Sequence, residues 1–179
     1  MLSNLRLEDM SSDLAGLAWK FQVNPESCDN PAHYENYIRL TAIYDNDAGM
    51  GKTLVLVGDE SDLECESVIA GYITLKASSL ITAYIDGARI GEPAVEVSEL
   101  AVNKVYEHQG IGTQLVQYAI VTAQNLNKQF LGVKYIVLCA DPKAVGFYKT
   151  FEFAELDDYS EIPREPWNRN CTPMCIRLH

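Results

Sequence analysis

The chain has 179 residues, 47% of them hydrophobic and 22% charged, which suits one folded domain with a real core and excludes disorder as its main state. Eleven glycines and seven prolines exclude collagen-like and low-complexity classes. Fourteen Lys and Arg against 25 Asp and Glu give a net charge of −11, and so acidic a surface disfavours general nucleic-acid binding.

The first ten residues carry Arg6, Glu8 and Asp9 where a signal peptide would have an apolar core. No apolar run approaches the roughly 18 residues of a membrane span. With five scattered cysteines (Cys28, Cys65, Cys139, Cys171 and Cys175), of which only Cys171 and Cys175 have even a weak metal-pair spacing, this predicts a cytoplasmic protein with no membrane contact and reduced thiols.

Residues 12–22 and 32–44 place apolar side chains three and four apart, which predicts two amphipathic helices, the second begun by Asn30-Pro31. The period then changes. Residues 53–57 (TLVLV) and 67–76 (SVIAGYITLK) predict antiparallel strands joined by an acidic turn. Residues 77–93, with Gly87, Gly91 and Pro93, read as an insertion between elements. Residues 94–102 predict a strand with Val95, Val97 and Glu99 on one face and Glu96, Ser98 and Leu100 on the other. A long helix follows Gly112, its stripe Leu115, Val116, Ala119, Ile120, Ala123 and Leu126, and ends near Gly132. The continuously apolar YIVLC (135–139) predicts a strand buried on both faces. Asp141-Pro142 then starts a short helix over 143–150, Asp as N-cap and Pro at the first helical position, and two strands near 152–156 and 173–178 close the chain. The order predicts a single domain over 1–179, of α/β class with a mixed sheet.

Gly51-Lys52-Thr53 imitates the end of a phosphate-binding P-loop, but Asn46 stands where its first glycine belongs, and a strand follows where a helix is needed. The stretch that carries chemistry is VEVSELAV, a short loop, then Gly110-Ile111-Gly112-Thr113 leading into the long helix. Glycines there let main-chain amides approach a ligand, and the helix presents its unpaired N–H groups and positive end, an arrangement that suits a pyrophosphate. The charge agrees: residues 101–150 hold Lys104, Lys128, Lys134, Lys143 and Lys149 against Glu107 and Asp141, +3, leaving −14 elsewhere.

A second motif follows the buried strand: Asp141-Pro142-Lys143-Ala144-Val145-Gly146-Phe147-Tyr148, then Phe151-Glu152-Phe153. The two motifs together, over about residues 67–156, resemble the GNAT superfamily of acetyl-CoA-dependent N-acetyltransferases. That family has [QR]-x-x-G-x-[GA] after its fourth strand and N-x-x-A-x-x-[FL]-Y-x-x-x-G-F after its fifth. The chain departs at Glu107 for Gln or Arg, Asp141 for Asn and Glu152 for Gly.

The resemblance implies a sheet of about six or seven strands flanked by helices, with the fourth and fifth strands splayed. It implies that Leu100, Ala101 and Val102 bind the pantetheine arm and that Gln109, Gly110, Ile111, Gly112 and Thr113 hold the pyrophosphate, with Asp141 and Phe147 completing the coenzyme set. Tyr148 matches the general acid, Glu96 or Glu99 the base, and His33 and His108 are weaker candidates. No metal is needed. The implied reaction is acetyl transfer from acetyl-CoA to a primary amine by direct attack. The acidic remainder favours a cationic small molecule or peptide as acceptor, with a homodimer possible. Two alternatives stand beside it. GYITLKASS, the following insertion and SELAV resemble toxin-type members that acetylate aminoacyl-tRNA and pair with an antitoxin, and the departures at 107 and 141 allow a coenzyme-binding domain without turnover.

Overall fold

The structure, a computed structural model, describes residues 2–60, 66–85, 88–156, 160–162 and 170–178, without the side chains of 82–85 and 88. Its strands are β1 (Leu2–Asp9), β2 (Lys52–Glu60), β3 (Ser67–Ile85), β4 (Ala88–Val102), β5 (Tyr135–Ala140), β6 (Ala154–Glu155) and β7 (Thr172–Arg177). They form one mixed sheet in the order β1-β2-β3-β4-β5-β7-β6. The helices are α1 (Ala15–Ala18), α2 (Pro31–Asn36), α3 (Ala42–Ala48), α4 (Ile111–Gln129) and α5 (Val145–Lys149). The chain divides into two compact units, residues up to 75 with 99–117, and residues 76–98 with those from 118 onward.

In the first unit β1 pairs antiparallel with β2, and β2 with the first half of β3, from Lys52↔Leu75 to Asp59↔Ser67. Strand β1 is an element the sequence pattern does not announce. Its register shifts between Ser3 and Arg6, with Asn4 at φ +50°, and such a bulge breaks the alternation by which a strand is recognised. The helix expected over 12–22 is a 3-10 turn, Ser12–Leu14, followed by α1 alone. The chain then turns through Lys20 and Phe21, whose amides reach the carbonyls of Leu17 and Ala18, and this delivers Phe21 and Val23 to the core.

The second expected helix is present and longer. Asn30 accepts the His33 N–H through its side chain, Pro31 occupies the first helical position, and α2 passes through a π-type turn, Tyr37–Thr41, into α3. Gly49, at φ +69°, closes α3. The core packs Phe21, Tyr37, Ile38, Val55, Val57, Ile69, Tyr72 and Ala101, each large apolar side chain contributing roughly 1.5–3 kcal/mol by leaving water.

The second unit corrects the reading of 77–93 as an insertion: β3 continues to Ile85 and β4 begins at Ala88. Gly91 marks a close approach, because a Cβ there would meet Ser79 Cβ at 3.2 Å. Strand β4 pairs parallel with β5 from Ala94↔Tyr135 to Val97↔Leu138, and β5 pairs antiparallel with β7. The expectation of reduced thiols is corrected at two positions. The β5/β7 pairing carries the residue before β7 beside the end of β5, and Cys139 and Cys171 form a disulfide with Cα atoms 5.3 Å apart. Cys28 and Cys175 remain thiols, so Cys171 and Cys175 do not act as a metal pair, and Cys65 lies outside the described residues. No helix among the described residues is long and apolar enough to cross a membrane.

Candidate active site

The first unit builds the glycine corner from the strands upward. Asn103, buried at the end of β4, donates its main-chain N–H to Ala70 O at 2.9 Å and its side-chain amide to Ile69 O at 3.2 Å. Its side-chain oxygen accepts from Val105 N, which starts a 3-10 turn over Lys104–Tyr106. The Tyr106 hydroxyl donates to Glu60 at the end of β2, and burial together with that carboxylate raises its pKa. The loop emerging from these anchors is therefore pinned to two strands before it reaches the helix.

His108 and Gly110 then take left-handed φ values of +60° and +79°. The first main-chain bond leading into α4 is Gln114 N to Gly110 O, so the amides of Ile111, Gly112 and Thr113 precede the helical ladder. A Cβ placed on Gly110 would meet nothing within 4 Å, which leaves room at this corner for a ligand. Ile111 is buried and packs down toward β3, while Gln109 and Gly110 are exposed and Gly112 and Thr113 half-buried. The residues expected to hold a pyrophosphate thus form an open bend at a positive helix end, and they fit one.

Glu107 has a defined partner. Its carboxylate accepts from Asn24 Nδ2 at 2.8 Å, which occupies one oxygen and draws the charge to the loop before α2. A histidine is the other addition at this end of the unit. Glu99 is 4% exposed, the most buried carboxylate among the described residues, and both its oxygens lie 3.0 Å from Nε2 of His33. Sequence ranked His33 low, and nothing local could have raised it, since its partner lies 66 residues away. Glu96 is only half-buried, in keeping with strand alternation away from Glu99. On the same stretch Ala101 is buried and Leu100 and Val102 half-buried.

The second unit carries the other motif. The Asp141 carboxylate accepts the Lys143 N–H at 3.0 Å, capping the 3-10 turn Pro142–Ala144 that leads into α5. Asparagine caps equally well, so this departure leaves the local structure intact. Tyr148 is buried, its ring edge-on to Phe147 at 5.2 Å and to Phe153 at 5.8 Å, with Phe151 stacking edge-on to Phe147. Among the described residues no group of three or more His, Cys, Asp or Glu is placed to hold a metal ion.

The family model described as Acetyltransferase (GNAT) family matches residues 17–153. The chain belongs to this family. Among solved structures, this GNAT chain resembles a tyrosine-to-phenylalanine mutant of the AtaT toxin bound to the C-terminus of the antitoxin AtaR and acetyl-CoA, at 18% identity and TM-score 0.71, covering 98% of this chain and 94% of that one. A tyrosine-to-phenylalanine mutant of KacT gives 17% identity and TM-score 0.74, over 98% and 95%. AtaT complexed with acetyl-methionyl-tRNAfMet gives 18% identity and TM-score 0.68, over 95% and 94%. At such identities the likeness is one of fold, and the GNAT chain shares it along nearly its whole length.

Proposed function

We propose that this protein transfers the acetyl group of acetyl-CoA to a primary amine, its two motifs acting as one acetyltransferase domain. The observation that carries the reading is the open corner at Gln109–Thr113, where main-chain amides ahead of the α4 ladder meet no side chain at Gly110. These amides hold the diphosphate, and the main chain of Leu100, Ala101 and Val102 takes the pantetheine arm. The second motif supplies Phe147 and Asp141, whose carboxylate caps its own turn, as further candidates for coenzyme contact.

Acetyl-CoA supplies an activated thioester carbonyl. The chain must supply the rest: a base to bare the lone pair of an incoming ammonium, donors for the developing oxyanion, and an acid for the leaving sulfur. Tyr148 gives that proton from its phenol, and a carboxylate of β4 serves as the base. The acceptor on this reading is a cationic small molecule or peptide, because the residues outside 101–150 sum to a formal charge of −14 and attract positive charge.

A second reading has a specific observation behind it. The likeness to AtaT and KacT extends over 97% or more of this chain in several structures, one AtaT complex contains an acetylated aminoacyl-tRNA, and others contain an antitoxin. An α-amino group on a charged tRNA is also a primary amine. One assay separates the readings: released thiol is followed with acetyl-CoA against a panel of polyamines, amino acids and lysine peptides, and in parallel against aminoacyl-tRNAs. Release with free amines is the expected result. Release with charged tRNA alone would replace the acceptor, and stabilisation by acetyl-CoA with no release from any acceptor would leave a binding domain.

A further inference from the structure

Glu99 poses a physical problem that the proposed reaction makes useful. A carboxylate this buried is expensive unless it is paired, and His33 Nε2 at 3.0 Å from both oxygens is a partner set symmetrically across it. The pairing is built from two separate elements. Glu99 continues the buried series of Val95 and Val97 along β4, and His33 is the third residue of α2, fixed by the Asn30 cap that takes its own N–H.

Tyrosines surround the pair. Tyr34 packs edge-on to the His33 ring at 5.2 Å, and the Tyr37 ring lies at 6.5 Å. Tyr72, whose pKa is held far above its ordinary value first by burial and then by the Glu99 charge, commits its hydroxyl to the Tyr34 carbonyl at 2.8 Å. Tyr37 is engaged with Asp45 at 3.0 Å, and Cys28 is a buried thiol beside Tyr72. The His33 side chain is 17% exposed against 3% for Glu99, so the ring connects the buried carboxylate to solvent.

We propose that His33 is the positioning residue of the base, its Nε2–H holding the Glu99 carboxylate ionised and fixed so that a Glu99 oxygen takes the proton of the acceptor ammonium. This rests on the acetyl-transfer reading above and selects Glu99 over Glu96. The protons balance: His33 Nε2–H donates to the ionised carboxylate, the ammonium gives one proton to a Glu99 oxygen, and the resulting carboxylic acid gives it to water as the acetylated product leaves. The amine nitrogen keeps its electron pair for the thioester, and the carboxylate is restored to its starting ionisation. Histidine suits this role because its ring N–H is a donor to a carboxylate and its short side chain fixes the direction of that donor.

The test compares wild type, His33→Gln and Glu99→Gln by thiol release across pH and across acetyl-CoA concentration, with whichever acceptor the panel identifies. His33→Gln is expected to lower kcat about 10²-fold, the lower end of what a general base contributes, with KM for acetyl-CoA unchanged. The deficit should shrink as pH rises toward the acceptor's own pKa, where neutral amine needs no base. A deficit constant across pH, or one expressed in KM for acetyl-CoA, would reduce His33 to a structural role and overturn the proposal. If His33→Gln does not fold, wild type decides: the His33 ring, followed by NMR, must carry a proton on Nε2 where Glu99 accepts it, and a ring protonated on Nδ1 alone overturns the proposal. Wild type without turnover on any acceptor overturns the acetyl-transfer reading and this proposal together, whereas turnover with an unaltered pH profile in the variant removes only His33.

Discussion

A Cβ on Gly71 would stand 2.8 Å from Cγ2 of Ile111, and only the missing side chain lets the first turn of α4 settle onto β3. The same Cβ would meet the Ala101 carbonyl at 3.0 Å and Leu115 Cδ1 at 3.1 Å. The carbonyl cannot rotate away as a side chain can, so the helix must lift. Gly71→Ala should therefore lower stability by about 1–3 kcal/mol, the usual range for overpacking. It should also weaken acetyl-CoA binding, since the amides of 111–113 move with the turn. Thermal melting and a coenzyme titration check both, and a variant matching wild type in each would mean that the contact gives way without cost.

The Asn24 amide and the Glu107 carboxylate form the second relationship at this corner, 2.8 Å apart. A negative charge near a helix start that is to hold a diphosphate works against binding, and Asn24 offsets part of it. Glu107→Gln keeps the shape and a hydrogen-bond acceptor while removing the charge. It should tighten acetyl-CoA binding about 2–5-fold, as expected when a term of ~0.3–1 kcal/mol at a helix end is relieved. The gain should fade in high salt, where charges several ångströms apart are screened. Calorimetry at two ionic strengths measures it, and equal affinities at low salt would show the carboxylate already neutralised in effect.

Glu152 marks a departure whose cost is visible in the backbone. Glu152 N bonds Lys149 O at 3.1 Å and Phe153 N reaches Tyr148 O at 3.4 Å, the pair of bonds that ends a helix around a left-handed residue. Glu152 is that residue, at φ +68°, and the Phe153 ring packs on Tyr148 as such an ending favours. A side chain in this conformation costs ~1–2 kcal/mol, of which glycine would return all but the ~0.5–1 kcal/mol of its greater freedom when unfolded. Glu152→Gly should raise stability by about 0.5–1 kcal/mol, or ~1–4 °C in Tm. A lower Tm would mean that the glutamate side chain contributes more than its strain removes.

The bend ahead of α4 was legible in sequence because glycine placement writes main-chain geometry directly: Gly110 takes positive φ and leads straight into α4. The Asp141 cap was legible for the same local reason. What sequence hid is non-local or masked by an irregularity. The bulge in β1 scrambles its period, and Gly91 reads as a loop residue although it serves a strand contact with Ser79. The His33–Glu99 pair joins α2 to β4, and the Cys139–Cys171 bond follows from a β5/β7 register that cysteine spacing does not encode.

Tyr148 separates catalysis from packing by one atom. Its ring is held by Phe147 and Phe153, contacts that phenylalanine would keep, while the phenol carries the proton proposed for the leaving sulfur. Tyr148→Phe should lower kcat about 10²-fold or more, as loss of an acid does, with the acetyl-CoA dissociation constant nearly unchanged. Single-turnover thiol release beside a binding titration gives both quantities, and full turnover would assign the proton to another donor.

Tyr37 provides a pH signature of the first unit's core. Burial above all raises its pKa from 10.0 to about 12, with Asp45 adding to the shift and hydrogen bonds from Thr53 and Thr74 opposing it. Above pH 10 the unfolded chain loses this proton while the folded chain keeps it, so the unfolded state binds fewer protons and stability falls as pH rises. The contribution is therefore complete below pH 10 and is lost between 10 and about 12. Tyr37→Phe sacrifices the 3.0 Å bond to Asp45 and is less stable at neutral pH, but it has no proton to lose. The gap in urea midpoint between wild type and variant should then narrow through that alkaline window. A gap that stays constant would mean that Tyr37 ionises in the folded protein as readily as in the unfolded chain, and that the Tyr37–Asp45 pair is open to water.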